Sequence, residues 1–158
     1  MRPLDRIDLE LLALLQNNAR LSNKELAARV GVAQSTCLLR VRRLIDDGVL
    51  RGFHAEIDPA ALGAGLQAMI AIRLRRHSRE LVESFRAYAM TLPEVRALYH
   101  MSGTDDFLVH VAARDASGLR DLAMSAFTTR DEVDHLETML IFEHLASRKL
   151  PLFLEPDA

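Results

Sequence analysis

The stretch LSNKELAARVGVAQSTCLLRVRRLIDDGVL, residues 21–50, constrains this chain more than any other. It reads as two short helices joined by a tight turn. The second helix carries Arg40, Arg42 and Arg43 and no acid before its last turn. Ser22 and Glu25 form an S-x-x-E capping box, in which each side chain satisfies the other residue's backbone amide. Leu21 and Leu26 flank the box at the spacing of a hydrophobic staple. Leu26, Ala27 and Val30 then line one face. Gly31 falls where a helix closes, because glycine tolerates the left-handed conformation. Gln34 restarts a helical pattern in which Cys37, Val41, Leu44 and Ile45 recur at i, i+4, i+7 and i+8, until Gly48 stops it.

At about 100° per residue the second helix divides into two faces. Cys37, Val41 and Leu44 face a core. Ser35, Leu39, Arg42 and Arg43 lie opposite, Thr36 and Arg40 on the flanks, and Gln34 in the first turn. Guanidinium groups pair with guanine or phosphate, hydroxyls donate or accept, and an outward leucine suits a thymine methyl. The helix N-terminus attracts a further phosphate. Two helices so arranged are how a protein lays a helix in the DNA major groove. An ordinary solvated helix is the competing reading. The capping box, turn glycine, clustered arginines and outward leucine together favour the groove.

A third helix precedes this unit over residues 4–18. Asp5 caps it, Asp8 sits three residues on, and Leu4 and Leu9 can staple its start. Ile7, Leu11, Leu14 and Leu15 give its buried stripe. Three helices on one core make a helix-turn-helix domain of about the smallest size that folds alone.

The net charge of −2 argues against a nucleic-acid partner until the chain is split. Residues 1–50 hold eight Lys+Arg against six Asp+Glu, and the remainder holds twelve against sixteen. Basicity is local, where groove contact is expected. The modest charge per subunit implies a dimer on two half-sites. The lone Cys37 has no disulfide partner within the chain and belongs to the buried stripe. No apolar run approaches membrane-spanning length and no signal-peptide pattern opens the chain, so a cytoplasmic protein is expected.

After Gly48 the period changes from 3.6 to 2. Val49–Ile57 is expected as a strand, and Pro59–Gly65 as a connector. The expected domains are therefore 1–50, a strand and linker over 51–64, and a second domain over 65–158. In that domain Leu66–Leu74 reads as a strand, Glu80–Thr91 as a helix and Val95–Met101 as a strand. The turn Ser102–Asp105, a strand over Phe107–Ala113, a helix over Ala116–Thr128 and a strand over Val133–Phe142 follow. The order βαββαβ is the ferredoxin-like arrangement. Met69, Val109, Val111 and Met139 belong to strands with apolar residues of both parities, so the face without helices is expected to pack on a second copy.

The motifs LDRIDLELL, RLSNKELAARVGV, CLLRVRRL, DGVLRGFHAEIDPAALG, MSGTDDFL and HLETMLIF, in this order and spacing, resemble the Lrp/AsnC family of transcriptional regulators over nearly the whole chain. The resemblance implies an α+β fold: an N-terminal three-helix helix-turn-helix domain, winged-helix-like, and a C-terminal βαββαβ ferredoxin-like domain for effector binding and oligomerisation. It implies a homodimer, which in this family often assembles further into an octamer, whose binding to double-stranded DNA responds to a small effector, commonly an amino acid. The implied effector site comprises Met101, Gly103, Thr104, Asp105, Asp106 and Thr138; Gly103 and Asp106 match the family pattern. Exposed turn amides can hold a carboxylate and an aspartate an ammonium group, although Ser102–Asp106 is also ordinary turn composition. The family carries serine where Ala33 stands. The recognition-helix cap is then weaker by about 1 kcal/mol unless Ser35 starts the helix later.

No cofactor or metal is expected. Asp105 and Asp106 are adjacent and point apart on extended chain. His54, His77, His100, His110, His135 and His144 show no metal-ligand spacing, and no phosphate loop or nucleophile elbow appears. An enzyme is therefore disfavoured. The remaining alternative is an amino-acid-binding oligomeric module that does not recognise DNA directly.

Overall fold

The computed structural model describes residues 3–76, 78–147, 149–151 and 153. The chain forms two compact units, one built on the residues up to Ala55 with those from Leu145 onward, the other on Glu56–His144.

In the first unit α1 spans Arg6–Asn17, α2 Asn23–Val30 and α3 Gln34–Asp46. Asp5 and Asp8 form a reciprocal capping box at the start of α1: the Asp8 N–H donates to Asp5 and the Asp5 N–H to Asp8. Ser22 and Glu25 do the same for α2. Gly31 closes α2 at φ 71°, a left-handed conformation that favours glycine. The core holds Leu11, Leu15, Leu26, Ala27, Val30, Cys37 and Leu44. Ile7, Leu14 and Val41 are only half-buried, and Ile45 lies exposed at the edge of its stripe. Burial pushes the Cys37 thiol pKa up, which keeps it protonated and inert.

The strand expected over Val49–Ile57 does not form: residues 51–58 are irregular chain. A strand needs a ladder partner. Here the Leu50 N–H instead returns to the Leu44 carbonyl at the end of α3. No strand, and hence no wing, occurs among the described residues of this unit. Asp58 then caps a short 3-10 turn over Pro59–Leu62.

The second unit contains β1 (Leu66–Leu74), α4 (Arg79–Ala89), β2 (Val95–His100), β3 (Phe107–Ala113), α5 (Ala116–Leu122) and β4 (Val133–Ile141). The residues after α5, Ala123–Thr128, widen into a π turn, in place of the continuous helix that the sequence predicts. The antiparallel sheet has the order β2-β3-β1-β4, as a βαββαβ fold requires. Ile70, Ile72, Val109 and Val111 pack beneath Phe85, Leu119 and Phe127 of the helical layer. Met69, expected with Val109 and Val111 among strands apolar on both sides, is paired with Met139 on the opposite face. Tyr99 and Met139 on that face remain exposed, whereas His110 is buried and bonds Gln67 at 2.9 Å.

Candidate functional site

α3 begins at Gln34, with Ala33 in the capping position and no side-chain cap bond. Ser35 therefore lies inside the first turn and does not serve as the cap. The first turn is tied to α2 instead: the Asn23 Nδ2 donates to the Gln34 carbonyl at 2.9 Å. This bond fixes the N-terminal end of α3 against α2.

Gln34, Ser35, Thr36, Leu39 and Arg42 are all exposed. Leu39 keeps 66% of its surface in water and lies in the outward row among hydroxyl, amide and guanidinium side chains. Arg40, placed by periodicity on the flank, and Arg43, assigned to the outer face, border a shallow hollow with Thr36 and Leu39 but are only partly exposed. They turn toward α1, and their side chains are 22% and 28% exposed. Arg40 Nη1 donates to Asp5 at 2.6 Å and to Asp8 at 2.9 Å. Arg43 donates to the second oxygen of Asp8. Hydrogen bonding by Arg40 holds the Asp5 carboxyl below its ordinary range, and Asp5 and Asp8 in turn raise Arg40. The acidic capping box of α1 thus doubles as a receptor for the basic face of α3. Its signal in the sequence is the i, i+3 spacing of Asp5 and Asp8 matched by that of Arg40 and Arg43.

In the second unit, the β2–β3 turn is closed by the Met101 N–H donating to the Asp106 carbonyl at 2.9 Å. Met101, Gly103 and Thr104 are exposed and Asp105 is half-buried. Gly103 has φ 139°, and open space surrounds the position a Cβ would take. Its conformation, not crowding, calls for glycine. Asp106 is buried and faces inward. Its carboxylate accepts the Leu74 N–H at 2.7 Å, and its own N–H donates to the Ile72 carbonyl. Asp106 therefore fastens the turn to the end of β1. Thr138 is exposed on β4, paired opposite Ile70. Because β1 separates β4 from β3, one protomer's register does not bring Thr138 beside the turn.

Among the described residues only two histidines, His110 and His144, come into contact. His100 stacks on Phe107, His110 meets His144 edge-on, and His135 lies opposite Arg73 on β4. His54 is exposed, and His77 lies outside the described residues. No group of three or more potential metal ligands occurs among the described residues. No described helix is long and apolar enough to cross a membrane.

A helix-turn-helix unit with an outward polar row, carried with an antiparallel α+β unit, defines a DNA-binding protein with a separate sensing domain. Comparison with known proteins agrees: residues 4–51 match the family model described as winged helix-turn-helix DNA-binding, and residues 67–151 the Lrp/AsnC ligand binding domain. The chain belongs to the Lrp/AsnC family of transcriptional regulators. It is 48% identical over 144 residues to the HTH-type transcriptional regulator AldR of Mycolicibacterium smegmatis, covering 91% of this chain and 84% of that protein. It is 37% identical to the leucine-responsive regulatory protein of Rhizobium meliloti, covering 87% and 88%. Among solved structures, MtbAldR aligns with TM-score 0.76 and 42% identity over 94% of this chain and 100% of that one. A Neisseria meningitidis transcriptional regulator in complex with L-Met aligns with TM-score 0.85 and 29% identity over 96% and 98%. The chain is thus a DNA-binding transcriptional regulator with a ligand-binding domain.

Proposed function

We propose that α3 enters the major groove of double-stranded DNA and that Gln34, Ser35, Thr36, Leu39 and Arg42 meet base edges and phosphates there. The observation that carries this is the solvent-facing row itself, with an exposed leucine among hydroxyl, amide and guanidinium groups. Regulation follows in the cytoplasm without catalysis. The effector is an amino acid, held at the β2–β3 turn. Met101, Gly103, Thr104 and Asp105 face it and Asp106 keeps the turn in place. Support comes from the accessible turn backbone at Gly103 and from the L-Met complex formed by one structural neighbour.

A single protomer offers only one DNA-binding head, and its sheet leaves Tyr99 and Met139 uncovered. The functional unit is a homodimer formed on that face. An octamer built from such dimers lets Thr138 of one copy approach the turn of another. Effector binding then favours one assembly over another and changes how many heads engage together. Sedimentation with and without each of the twenty amino acids, paired with DNA binding, tests this reading. It expects at least one amino acid to shift both mass and affinity; no shift with any of them removes the effector claim.

A further inference from the structure

We propose that Arg40 and Arg43 are positioning residues of the recognition helix: they set how α3 is presented to DNA through Asp5 and Asp8, and do not themselves read bases. The inference rests on the reading that α3 enters the groove, and its test separates the two.

The geometry is a closed four-residue clamp. Asp8 has no exposed surface, yet both its oxygens are engaged. One oxygen receives Arg40 at 2.9 Å; the other receives Arg43 and the Asp5 N–H. Asp5 uses one oxygen for the Asp8 N–H and the other for Arg40. Each carboxylate is therefore a helix cap and an arginine acceptor at once. If either guanidinium swung out to a base, Asp8 would keep a buried charge with a missing partner, which is strongly unfavourable. An arginine that reads guanine must present its planar fork to the groove. Here one terminal nitrogen of each guanidinium is already committed to the carboxylates of α1, Nη1 of Arg40 and Nη2 of Arg43.

The clamp also has a mechanical consequence. α1 and α3 otherwise meet through apolar contacts around Leu11 and Cys37, which resist separation more than rotation. Two charged pairs spaced one helical turn apart resist rotation about the contact. The exposed row on α3 therefore keeps a fixed angle relative to α1.

The test uses the full chain and two DNA arms: duplexes selected by the wild type from a randomised library, and unselected duplex. Asp8→Asn and Arg40→Gln are compared for the ratio of the two affinities, for the salt dependence of binding and for Tm. The expected result is that each narrows the ratio by about fivefold or more, a change of the order of one mismatched base pair. The salt dependence stays at the wild-type slope in both, and the double variant falls less than the two single losses combined, since they remove one shared network. A structural role alone lowers Tm and the folded fraction but leaves the ratio unchanged, and that outcome overturns the proposal. So does a salt slope lowered by about one in Arg40→Gln, the mark of a lost phosphate contact. If Asp8→Asn fails to fold, Asp5→Asn carries the same comparison, because Asp5 is 37% exposed and tolerates the change more readily. Thr36→Ala with Leu39→Ala serves as the control for the groove: a retained ratio there sinks the groove reading itself, whatever the clamp variants do.

Discussion

The carboxylate of Asp8, without exposed surface in α1, accepts a hydrogen bond at 2.9 Å from the guanidinium of Arg40 in α3, 32 positions further along the chain. That relationship joins the capping of one helix to the placement of another.

Loss of the buried acceptor should be costly. Asp8→Ala removes the acceptor of Arg43, leaves Arg40 with Asp5 alone and removes half of the α1 capping box. A destabilisation of about 3 kcal/mol is expected, the lower end of the range for broken buried pairs, because both guanidiniums reach solvent. Chemical denaturation followed by circular dichroism measures it; a loss under about 1 kcal/mol would mean that the pair behaves as a surface bridge.

The clamp also has a pH window. The Asp5 pKa is lowered from 3.8, chiefly by its bond to Arg40, so the folded state binds a proton less readily than the unfolded chain. Its contribution is present above the unfolded value and is lost as pH falls through the folded one. Acid unfolding should begin at higher pH in wild type than in Asp5→Asn relative to each variant's neutral stability. Parallel acid titrations of the two would contradict this assignment.

The α3 cap is open to improvement. Ala33 stands at the capping position in extended conformation, φ −63° and ψ 148°, with no side-chain bond. Ala33→Ser should add a hydroxyl acceptor for the first-turn amides and stabilise the protein by about 1 kcal/mol. Thermal unfolding checks it, and an unchanged or lower Tm tells against the N-cap geometry.

His110 supplies a second pH effect. Burial first, then the charges of His144 and Arg96, lower its pKa from 6.5. Protonation of the unfolded chain then precedes that of the folded one, so stability is retained above about 6.5 and declines as pH falls toward the folded value. His110→Gln keeps a partner for Gln67 and should flatten this slope. A wild-type slope in the variant, measured by Tm between neutral and mildly acidic pH, would assign the effect to another group.

Asp106 separates fastening from ligand binding. Asp106→Ala leaves the buried Leu74 N–H unpaired and should destabilise by about 1–3 kcal/mol. Asp106→Asn retains an acceptor and should recover much of that stability. If Asp106→Asn is as stable as wild type yet loses its response to every amino acid, the carboxylate touches effector directly and the fastening role is incomplete.

Local grammar is the most legible part of this chain. Both capping boxes, the Gly31 closure and the ends of β1 and β3 follow from residue type and spacing alone. Val49–Ile57 misleads because alternation marks a chain suited to a ladder, whereas a ladder also needs a partner strand, which sequence alone does not supply. The continuous helix expected through Thr128 gives way to a π turn over Ala123–Thr128, whose Ala123, Ala126 and Phe127 are buried as a helix there would also bury them, so apolar periodicity does not distinguish the two. Periodicity places Leu39 and Arg42 outward and they are exposed. It cannot show that Arg40 and Arg43 bend toward α1, because a long flexible side chain is directed by its acceptor, not by its Cα. Asp106 likewise reads as a turn acid; its burial depends on the end of β1, 32 positions earlier.

The most direct measurement is selection of duplexes from a randomised library by the wild type and by the combined variant Gln34→Ala, Thr36→Ala, Leu39→Ala and Arg42→Ala, both verified as folded. The wild type should enrich a defined half-site motif, and the variant should bind weakly with no motif. Enrichment of the same motif by the folded variant would contradict the assignment of base reading to the outward row of α3.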